Sequence, residues 1–256
     1  MSGSIQIAVL GASGRMGREL IRAIGTAPDL ELTGALASPG SPALGEDAGV
    51  YAGSHACGIL IGADRAACLA SAQVALDFTL APATAENASA CATRGCGILV
   101  GATGLDAAAR NAIESASRRI PVLEAPNTSV AVYVLTQLVE SAARQLPADF
   151  DIDVFEIHHR DKRDAPSGTA LKLAAAAEAG RAQAKRAGRA IGHAALRAGT
   201  VVGEHTVSFS GPGERLELTH RAQDRSAFAH GALLAARWLV GRRPGRYSMA
   251  DVLGRG

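Results

Sequence analysis

A glycine-rich turn between the first strand-like run and the first helix-like run constrains the fold of this chain most strongly. The apolar run Ile5–Leu10 ends at Gly11, and Gly14 and Gly17 follow at intervals of three residues before an amphipathic helical pattern. A dinucleotide pyrophosphate needs such a turn, because residues without Cβ let it approach backbone N–H groups at the positive end of a helix. A tight strand-to-helix turn that holds no ligand is the alternative, since glycine spacing alone is weak evidence.

The alternation of strands and helices continues beyond this turn. It predicts an α/β fold with a doubly wound, mostly parallel Rossmann-type sheet covered by helices. Beyond Ile5–Leu10, strands are predicted at 30–36, 74–78, 97–100 and 121–123. The intervening helices are predicted at 84–94 and 106–118, and residues 38–64 are predicted as mostly loop.

The pattern changes after residue 126, where helices no longer separate every pair of strands. Helices are predicted at 129–146, 167–189 and 227–240, and β-type runs at 151–158, 200–202, 206–209 and 216–219. Consecutive strands without an intervening helix indicate an antiparallel or mixed sheet. We therefore predict a dinucleotide-binding domain over 1–126, joined by the C-terminal segment 226–256, and a second α+β domain over 127–225.

Composition and charge exclude several classes of protein. A hydrophobic fraction of 48% excludes disorder, and a net charge of +2, from 26 basic and 24 acidic residues, does not favour binding to nucleic acid. The chain shows no apolar stretch of about 18 residues and no secretory leader pattern, which predicts a cytoplasmic protein without a membrane span. The four cysteines lack zinc-ligand spacing, so we predict buried, reduced thiols and no metal site.

The end of the second predicted strand does not choose between the two nicotinamide cofactors. Dinucleotide-binding domains usually place an acidic residue there to bind the adenosine ribose, but this strand ends in Leu36 and is followed by Ala37 and Ser38. Without a carboxylate NADPH is tolerated, and without an adjacent cation it is not selected. The cofactor is therefore predicted to be NADPH or NADH.

The segment from Glu156 to Thr169 carries most of the chemically active side chains. It holds His158, His159 and Lys162, the last being one of only three lysines in the chain. The segment leads from a strand into a helix that Ser167 or Asp164 can cap, with Pro166 at an early position. The helix start and the surrounding cations suit a small di-acid, and the histidines and lysine can move protons. A solvated charged loop is the alternative interpretation.

This segment, His158-His159-x-x-Lys162-x-Asp164-Ala165-Pro166-Ser167-Gly168-Thr169, resembles the signature of the 4-hydroxy-tetrahydrodipicolinate reductase (dihydrodipicolinate reductase) family of bacterial lysine and diaminopimelate synthesis. The resemblance extends over nearly the whole chain, through the motifs at 11–17, 77–79, 101–104, 127–130, 202–206 and 213–220. It implies an NAD(P)H-dependent reductase that acts on a small cyclic dicarboxylate. It also implies a homotetramer associated through the sheets of the second, substrate-binding domains.

The resemblance assigns roles to particular residues. His158 is similar to the family's proton donor or acceptor and Lys162 to its proton donor, while His159, Gly168 and Thr169 match substrate-binding positions. The positions that match cofactor-binding segments are Gly11, Ala12, Ser13, Gly14, Arg15, Met16, Gly101, Ala102, Thr103, Ala125, Pro126, Asn127 and Thr128. The chain departs from some members at Ala37 and Ser38, where they carry a Glu-Arg pair, and at Thr128, where an aromatic residue is frequent.

Two other functions stay open from the residues themselves. One is a dehydrogenase of a different amino or keto dicarboxylate, which would use the same dinucleotide turn and anion site. The other is a non-catalytic NAD(P)-binding sensor, which would have no need of clustered proton donors beside that anion site.

Overall fold

Short, uninterrupted apolar runs form parallel strands, because a strand covered on both faces cannot carry polar residues at alternate positions. The computed structural model describes residues 3–254. Its strands are β1 (Ile5–Leu10), β2 (Leu30–Leu36), β3 (Ile61–Gly62), β4 (Val74–Asp77), β5 (Gly97–Val100), β6 (Pro121–Glu124), β7 (Asp151–His158), β8 (Gly192–Arg197), β9 (Gly203–Gly211), β10 (Glu214–Ala222) and β11 (Gly245–Tyr247).

Apart from one that ends early, the longer helices begin and end close to the limits that the periodicity predicts, whereas three helices of four residues were not predicted. They are α1 (Arg15–Gly25), α2 (Ala48–Tyr51), α3 (Arg65–Cys68), α4 (Ala81–Arg94), α5 (Ala107–Ser117), α6 (Val130–Gln145), α7 (Gly168–Gln183), α8 (Ser226–Leu239) and α9 (Met249–Val252). In α1 the buried residues Leu20, Ile21 and Ile24 recur at helical spacing, so this face packs on the sheet while the opposite face stays polar.

The chain divides into two units, of which the first comprises the residues up to Ser129 and those from Phe228 onward. Its sheet has the strand order β11-β6-β5-β4-β1-β2-β3, and the paired strands run parallel. The reversal of direction on either side of β1 is the switch point at which doubly wound sheets bind ligands. This confirms the predicted fold class of the first unit.

The second unit spans Val130–Ala227 and contains a mixed sheet of order β10-β9-β7-β8. In this sheet β7 pairs parallel with β8 and antiparallel with β9. Burial alternates along β7, with Ile152, Val154, Glu156 and His158 on the buried face. That alternation puts two polar side chains, Glu156 and His158, on the same side as the hydrophobic core.

Several local predictions were wrong. Residues 200–202 lie in a turn and the following loop rather than a strand, whereas the strand β11 was not predicted. It is a three-residue edge strand with too little periodicity to recognise. The helix predicted to reach residue 189 ends at Gln183. Cys57 is exposed, and only the other three of the four free cysteines are buried.

Within residues 3–254, the helices are all too short or too polar to cross a lipid bilayer.

The close approach at Gly17 generates a stability prediction. A Cβ at this position would lie 2.2 Å from the carbonyl oxygen of Gly11, and backbone atoms cannot move aside as a flexible side chain can. Gly17→Ala should therefore lower the free energy of unfolding by about 1–3 kcal/mol, measured by urea denaturation. Gly25→Ala is the matched control on the same helix, because nothing lies within 4 Å of its Cβ. Equal midpoints for the two variants would contradict the expected clash.

Candidate active site

The turn between β1 and α1 has the geometry that a pyrophosphate requires. Gly11 has a φ of +89°, a left-handed conformation that favours glycine. Gly14 caps α1 in an extended conformation with no side-chain hydrogen bond. No acidic residue lies in the first turn of the helix. The positive end of α1 is therefore not neutralised by a side chain of its own cap or first turn and suits an anion.

The other predicted cofactor segments follow β5 and β6 at the same edge of the sheet, since parallel strands end together. Ala12, Ala102 and Ala125 are buried, so these positions offer a ligand backbone groups rather than side chains. A Cβ at Gly101 would lie 2.5 Å from the Phe78 ring. The absence of a side chain there lets the aromatic ring pack directly against the loop after β5.

The side chain of Thr128, at a position that the resemblance matches to a cofactor-binding segment, is buried. It is only 1% exposed, and its hydroxyl donates a hydrogen bond of 2.6 Å to the carbonyl of Phe228. The hydroxyl thus ties the end of the loop after β6 to α8. A contribution of Thr128 to the cofactor is limited to its backbone.

A buried network that the sequence analysis did not assign supports these loops. Asp77 ends β4 and accepts hydrogen bonds from the backbone N–H (3.0 Å) and the hydroxyl (2.6 Å) of Thr79. Asn87 donates to the Thr79 hydroxyl and accepts from Arg65. Burial raises the pKa of Asp77 against the opposing effect of these hydrogen bonds. The network holds the backbone around Phe78 beside the glycine turn.

The second predicted site is built where β7 ends and α7 begins. Ser167 is the N-cap of α7, and its hydroxyl accepts from the N–H of Ala170 at 3.2 Å. Pro166 precedes the cap instead of occupying an early helical position, and it follows a cis peptide bond. Gly168 and Thr169 form the first turn of α7, whose N-terminal dipole favours an anionic ligand. His159 is half-buried in the loop that leads there.

The carboxylate of Glu156 is the centre of this site. It is only 2% exposed, and its Oε1 accepts from the N–H of Ser167 at 3.0 Å and from the guanidinium of Arg197 at 3.2 Å. Burial by itself raises the pKa of Glu156, but the hydrogen bonds from Ser167 and Arg197 outweigh it and hold the pKa below its ordinary value. The carboxylate is thus ionised at neutral pH.

Two histidines lie against the second oxygen of this carboxylate. The Oε2 atom is 3.4 Å from Nδ1 of His158 and 3.6 Å from Nε2 of His205, and the two rings meet edge to face with centroids 5.0 Å apart. Burial lowers the pKa of both histidines from 6.5 to about 4. Both rings are therefore neutral at neutral pH.

The ammonium of Lys162 lies beside a carboxylate, although cations are its more frequent neighbours in the sequence. Its Nζ donates to both oxygens of Asp164, at 2.7 and 2.8 Å. Burial raises the pKa of Asp164, but the ammonium of Lys162 more than compensates and lowers it. Arg197 donates to the backbone carbonyls of Lys162 and Asp164. This arginine therefore clamps the lysine loop onto the sheet.

Three residues of the site were missed by the sequence analysis, namely Glu156, Arg197 and His205. For Glu156 a signal existed, because its position two residues before His158 on a strand puts both on one face. Arg197 and His205 come from other strands, and only the pairing of β7 with β8 and β9 brings them to the carboxylate.

Glu156, His158 and His205 also offer three potential metal ligands within 4.8 Å of one another. The sequence predicts no metal site, but on the spacing of the four cysteines and not of these three residues. The guanidinium of Arg197 already lies on the carboxylate, and a second positive charge would have to overcome its repulsion.

Comparison with known proteins matches both units. The family profile for the N-terminus of dihydrodipicolinate reductase matches residues 5–128, and that for its C-terminus matches residues 131–253. The chain belongs to the dihydrodipicolinate reductase family. Curated relatives named 4-hydroxy-tetrahydrodipicolinate reductase include that of Anaeromyxobacter dehalogenans, 47% identical with 97% of each chain covered. That of Alkalilimnicola ehrlichii is 48% identical, covering 97% of this chain and 98% of the relative.

A solved structure of the dihydrodipicolinate reductase family shares the fold. The dipicolinate-bound dihydrodipicolinate reductase from Paenisporosarcina sp. TG-14 superposes with a TM-score of 0.77 at 20% identity and covers 97% of this chain and 99% of its own. At that identity the superposition supports the fold, while membership of the family rests on the profiles and the curated relatives.

The neutral buried histidines predict how stability depends on pH. His205 has a pKa of about 4 in the folded protein and an ordinary value of 6.5, so between these values the unfolded chain binds more protons. Its contribution to the free energy of unfolding is complete above pH 6.5 and is lost as the pH falls towards 4. His205→Asn should therefore flatten the dependence of unfolding free energy on pH in this window, measured by urea denaturation. His193→Asn, at an exposed position, should leave the slope unchanged, and an unchanged slope for His205→Asn would contradict the burial argument.

Proposed function

We infer that this protein is a 4-hydroxy-tetrahydrodipicolinate reductase, which reduces its substrate to tetrahydrodipicolinate in the synthesis of diaminopimelate and lysine. The observation that carries the inference is the grouping of His158 and Lys162 beside the N-terminus of α7, in a family member with a dinucleotide turn in its other unit. A sensor that only binds NAD(P) would not need these proton donors. The curated relatives at 47–48% identity carry the name of this activity.

We propose that the two parts of the chain bind different ligands, with the bounds that the sequence predicts. Residues 1–126, with the C-terminal segment 226–256, bind the cofactor, and residues 127–225 bind the substrate. The cofactor is NADPH or NADH, and when bound it supplies a hydride. The glycine turn and the uncapped start of α1 suit its pyrophosphate, and neither Ala37 nor Ser38 brings a charge to the end of β2.

The substrate is a small cyclic dicarboxylate, so the protein must compensate two negative charges. The start of α7, with Gly168 and Thr169, offers the N–H groups and dipole that favour one carboxylate, and His159 adds a ring donor. Lys162 and Arg197 add two cations nearby, each of which is also paired with a carboxylate of the protein. This combination binds a di-acid more strongly than a neutral ring.

Proton transfer is assigned to two side chains. Lys162 can give up a proton and regain it from water, and Asp164 holds its ammonium in place through two hydrogen bonds. His158 is neutral at neutral pH, so its ring can accept a proton at one nitrogen and return it. A reduction that adds a hydride to a conjugated ring requires such a proton source beside the ring.

The role of Lys162 predicts a separation of turnover from cofactor binding. Lys162→Arg keeps the charge and the partner Asp164 but cannot release its proton near neutral pH. Turnover should fall by about 10²–10⁴-fold, while the dissociation constant for NADPH stays within about threefold. Turnover is measured by the loss of NADPH absorbance with substrate generated by the preceding synthase. Lys185→Arg, exposed at the end of α7, is the matched control. Full activity of Lys162→Arg would remove the proton-donor role, and a wild-type protein that oxidises neither NADPH nor NADH would overturn the proposed function.

We also propose that the protein assembles as a homotetramer through the outward face of the β10-β9-β7-β8 sheet. Phe155 on β7 is 46% exposed and Leu196 on β8 is 60% exposed, and Leu196 pairs with Ile157 of the neighbouring strand. Large apolar side chains grouped on a sheet face favour burial against another chain.

A cytoplasmic location fits the proposed function, because a biosynthetic reductase draws on the cytoplasmic pool of reduced cofactor.

The assembly is tested by placing a charge on this face. Phe155→Glu should convert the tetramer to smaller species in sedimentation equilibrium, because an ionised carboxylate is costly to bury in an apolar contact. Val50→Glu adds the same charge at an exposed apolar position of the first unit and should leave the mass unchanged. A tetramer that survives Phe155→Glu would place the interface elsewhere.

A further inference from the structure

The two oxygens of the Glu156 carboxylate have different surroundings. Oε1 accepts hydrogen bonds from Ser167 and Arg197. Oε2 is fully buried and accepts none, and its neighbours are the nitrogens of His158 and His205. A buried, ionised oxygen that accepts no hydrogen bond costs free energy. A hydrogen bond donated by one of the neighbouring ring nitrogens would remove that cost.

His158 presents the complementary feature. Its Nδ1 is also fully buried without a hydrogen bond, and it lies 3.4 Å from Oε2. If Nδ1 carries no proton, two lone pairs face each other in a buried site. If it carries one, a rotation that shortens the distance by a few tenths of an ångström completes a hydrogen bond. Catalytic hydrogen bonds are often long in the free enzyme and tighten when the substrate binds.

The ring of His158 is held in this orientation from its other side. A Cβ at Gly203 would lie 3.1 Å from Nε2 and 3.3 Å from Cδ2 of His158, so β9 approaches the ring closely because residue 203 is a glycine. The edge of the His205 ring packs against it. The ring therefore has little freedom to turn Nδ1 away from the carboxylate.

We propose that Glu156 is a positioning residue for the reductase reaction, whose Oε2 keeps the ring proton of His158 on Nδ1 and so leaves the lone pair on Nε2. The inference rests on the proposed function for its consequence in turnover. During turnover Nε2 accepts a proton from water or from Lys162 and then gives it to the substrate. The proton on Nδ1 stays in place, and Glu156 remains ionised and stabilises the transient imidazolium, as the carboxylate of a catalytic triad does.

The charges around His158 come from every element packed against it. Lys162 in the loop after β7 and Arg197 on β8 lower the pKa of His158, whereas Glu156 and Asp164 raise it, and burial is the largest effect. The His205 ring on β9 completes the surroundings. Removal of the Glu156 charge should therefore lower the pKa of His158 further, with the other groups unchanged.

The location of the ring proton can be measured without any variant of Glu156. Nitrogen-15 NMR of histidine-labelled protein at neutral pH distinguishes the two neutral tautomers, and the spectrum of His158→Asn identifies the signals of His158. We expect the proton on Nδ1. A wild-type protein with the proton on Nε2 would overturn the proposal. A purified protein that contains one zinc ion per chain would also overturn it, because Nδ1 would then be a metal ligand.

Glu156→Gln reverses the hydrogen bond. The amide oxygen can still accept from Ser167 and Arg197, while its NH₂ group faces Nδ1 and forces the ring proton to Nε2. We expect the tautomer to switch and turnover to fall by about 10²-fold. The acid limb of the pH–rate profile should move to lower pH. The NADPH dissociation constant should stay unchanged. Glu156→Asp, which keeps the charge, should retain the wild-type tautomer and recover part of the activity.

Glu140→Gln is the matched control, because Glu140 lies on α6 and its carboxylate accepts a hydrogen bond from the Gln183 side chain. This variant should leave the tautomer of His158 and the turnover unchanged. An active wild-type protein whose Glu156→Gln variant keeps the same tautomer and pH profile would overturn the positioning role alone. A wild-type protein with Nδ1 protonated but without reductase activity would instead overturn the proposed function. If Glu156→Gln does not fold by circular dichroism, the wild-type tautomer and Glu156→Asp still decide.

Discussion

The ionised carboxylate of Glu156 is the interaction on which the second unit's site depends. It is buried at the end of a strand, where an unpaired charge would be costly, and the protein compensates it from two directions. The N–H of Ser167 comes from the cap of α7 and the guanidinium of Arg197 from β8. Each of these two groups is thereby held in place, and the rings of His158 and His205 lie against the other oxygen of the carboxylate.

Glu156, His158 and His205 are all buried, but they differ in charge. Burial disfavours the charged form of each of them, so the charge state depends on the hydrogen bonds that each group makes. The carboxylate receives enough hydrogen-bond donors to stay ionised, whereas the two histidines lack the acceptors that would stabilise an imidazolium and are neutral, with pKa values lowered to about 4. A single carboxylate with two neutral imidazoles can hold a ring proton at a defined nitrogen.

In the first unit the corresponding constraint is steric. The glycine turn permits the start of α1 to approach the end of β1, and a methyl group at Gly17 would overlap the carbonyl oxygen of Gly11. The same kind of constraint recurs at Gly101, which admits the ring of Phe78. Close backbone packing around the ends of the strands leaves N–H groups, rather than side chains, as the main contribution of this unit to a phosphate ligand.

The sequence by itself determined the elements whose signal is local. Apolar runs located the long parallel strands, the glycine spacing located the turn, and the motif from His158 to Thr169 located the chemistry and the family. Residues 200–202 resemble a strand in composition but form a turn and loop, and β8 and β11 are strands because of their neighbours. Hydrogen bonds between strands distant in sequence decide such cases, and no local pattern encodes them. For the same reason only the tertiary structure brought Arg197 and His205 to Glu156. The burial that sets the charge of these groups exists only after the strands have paired.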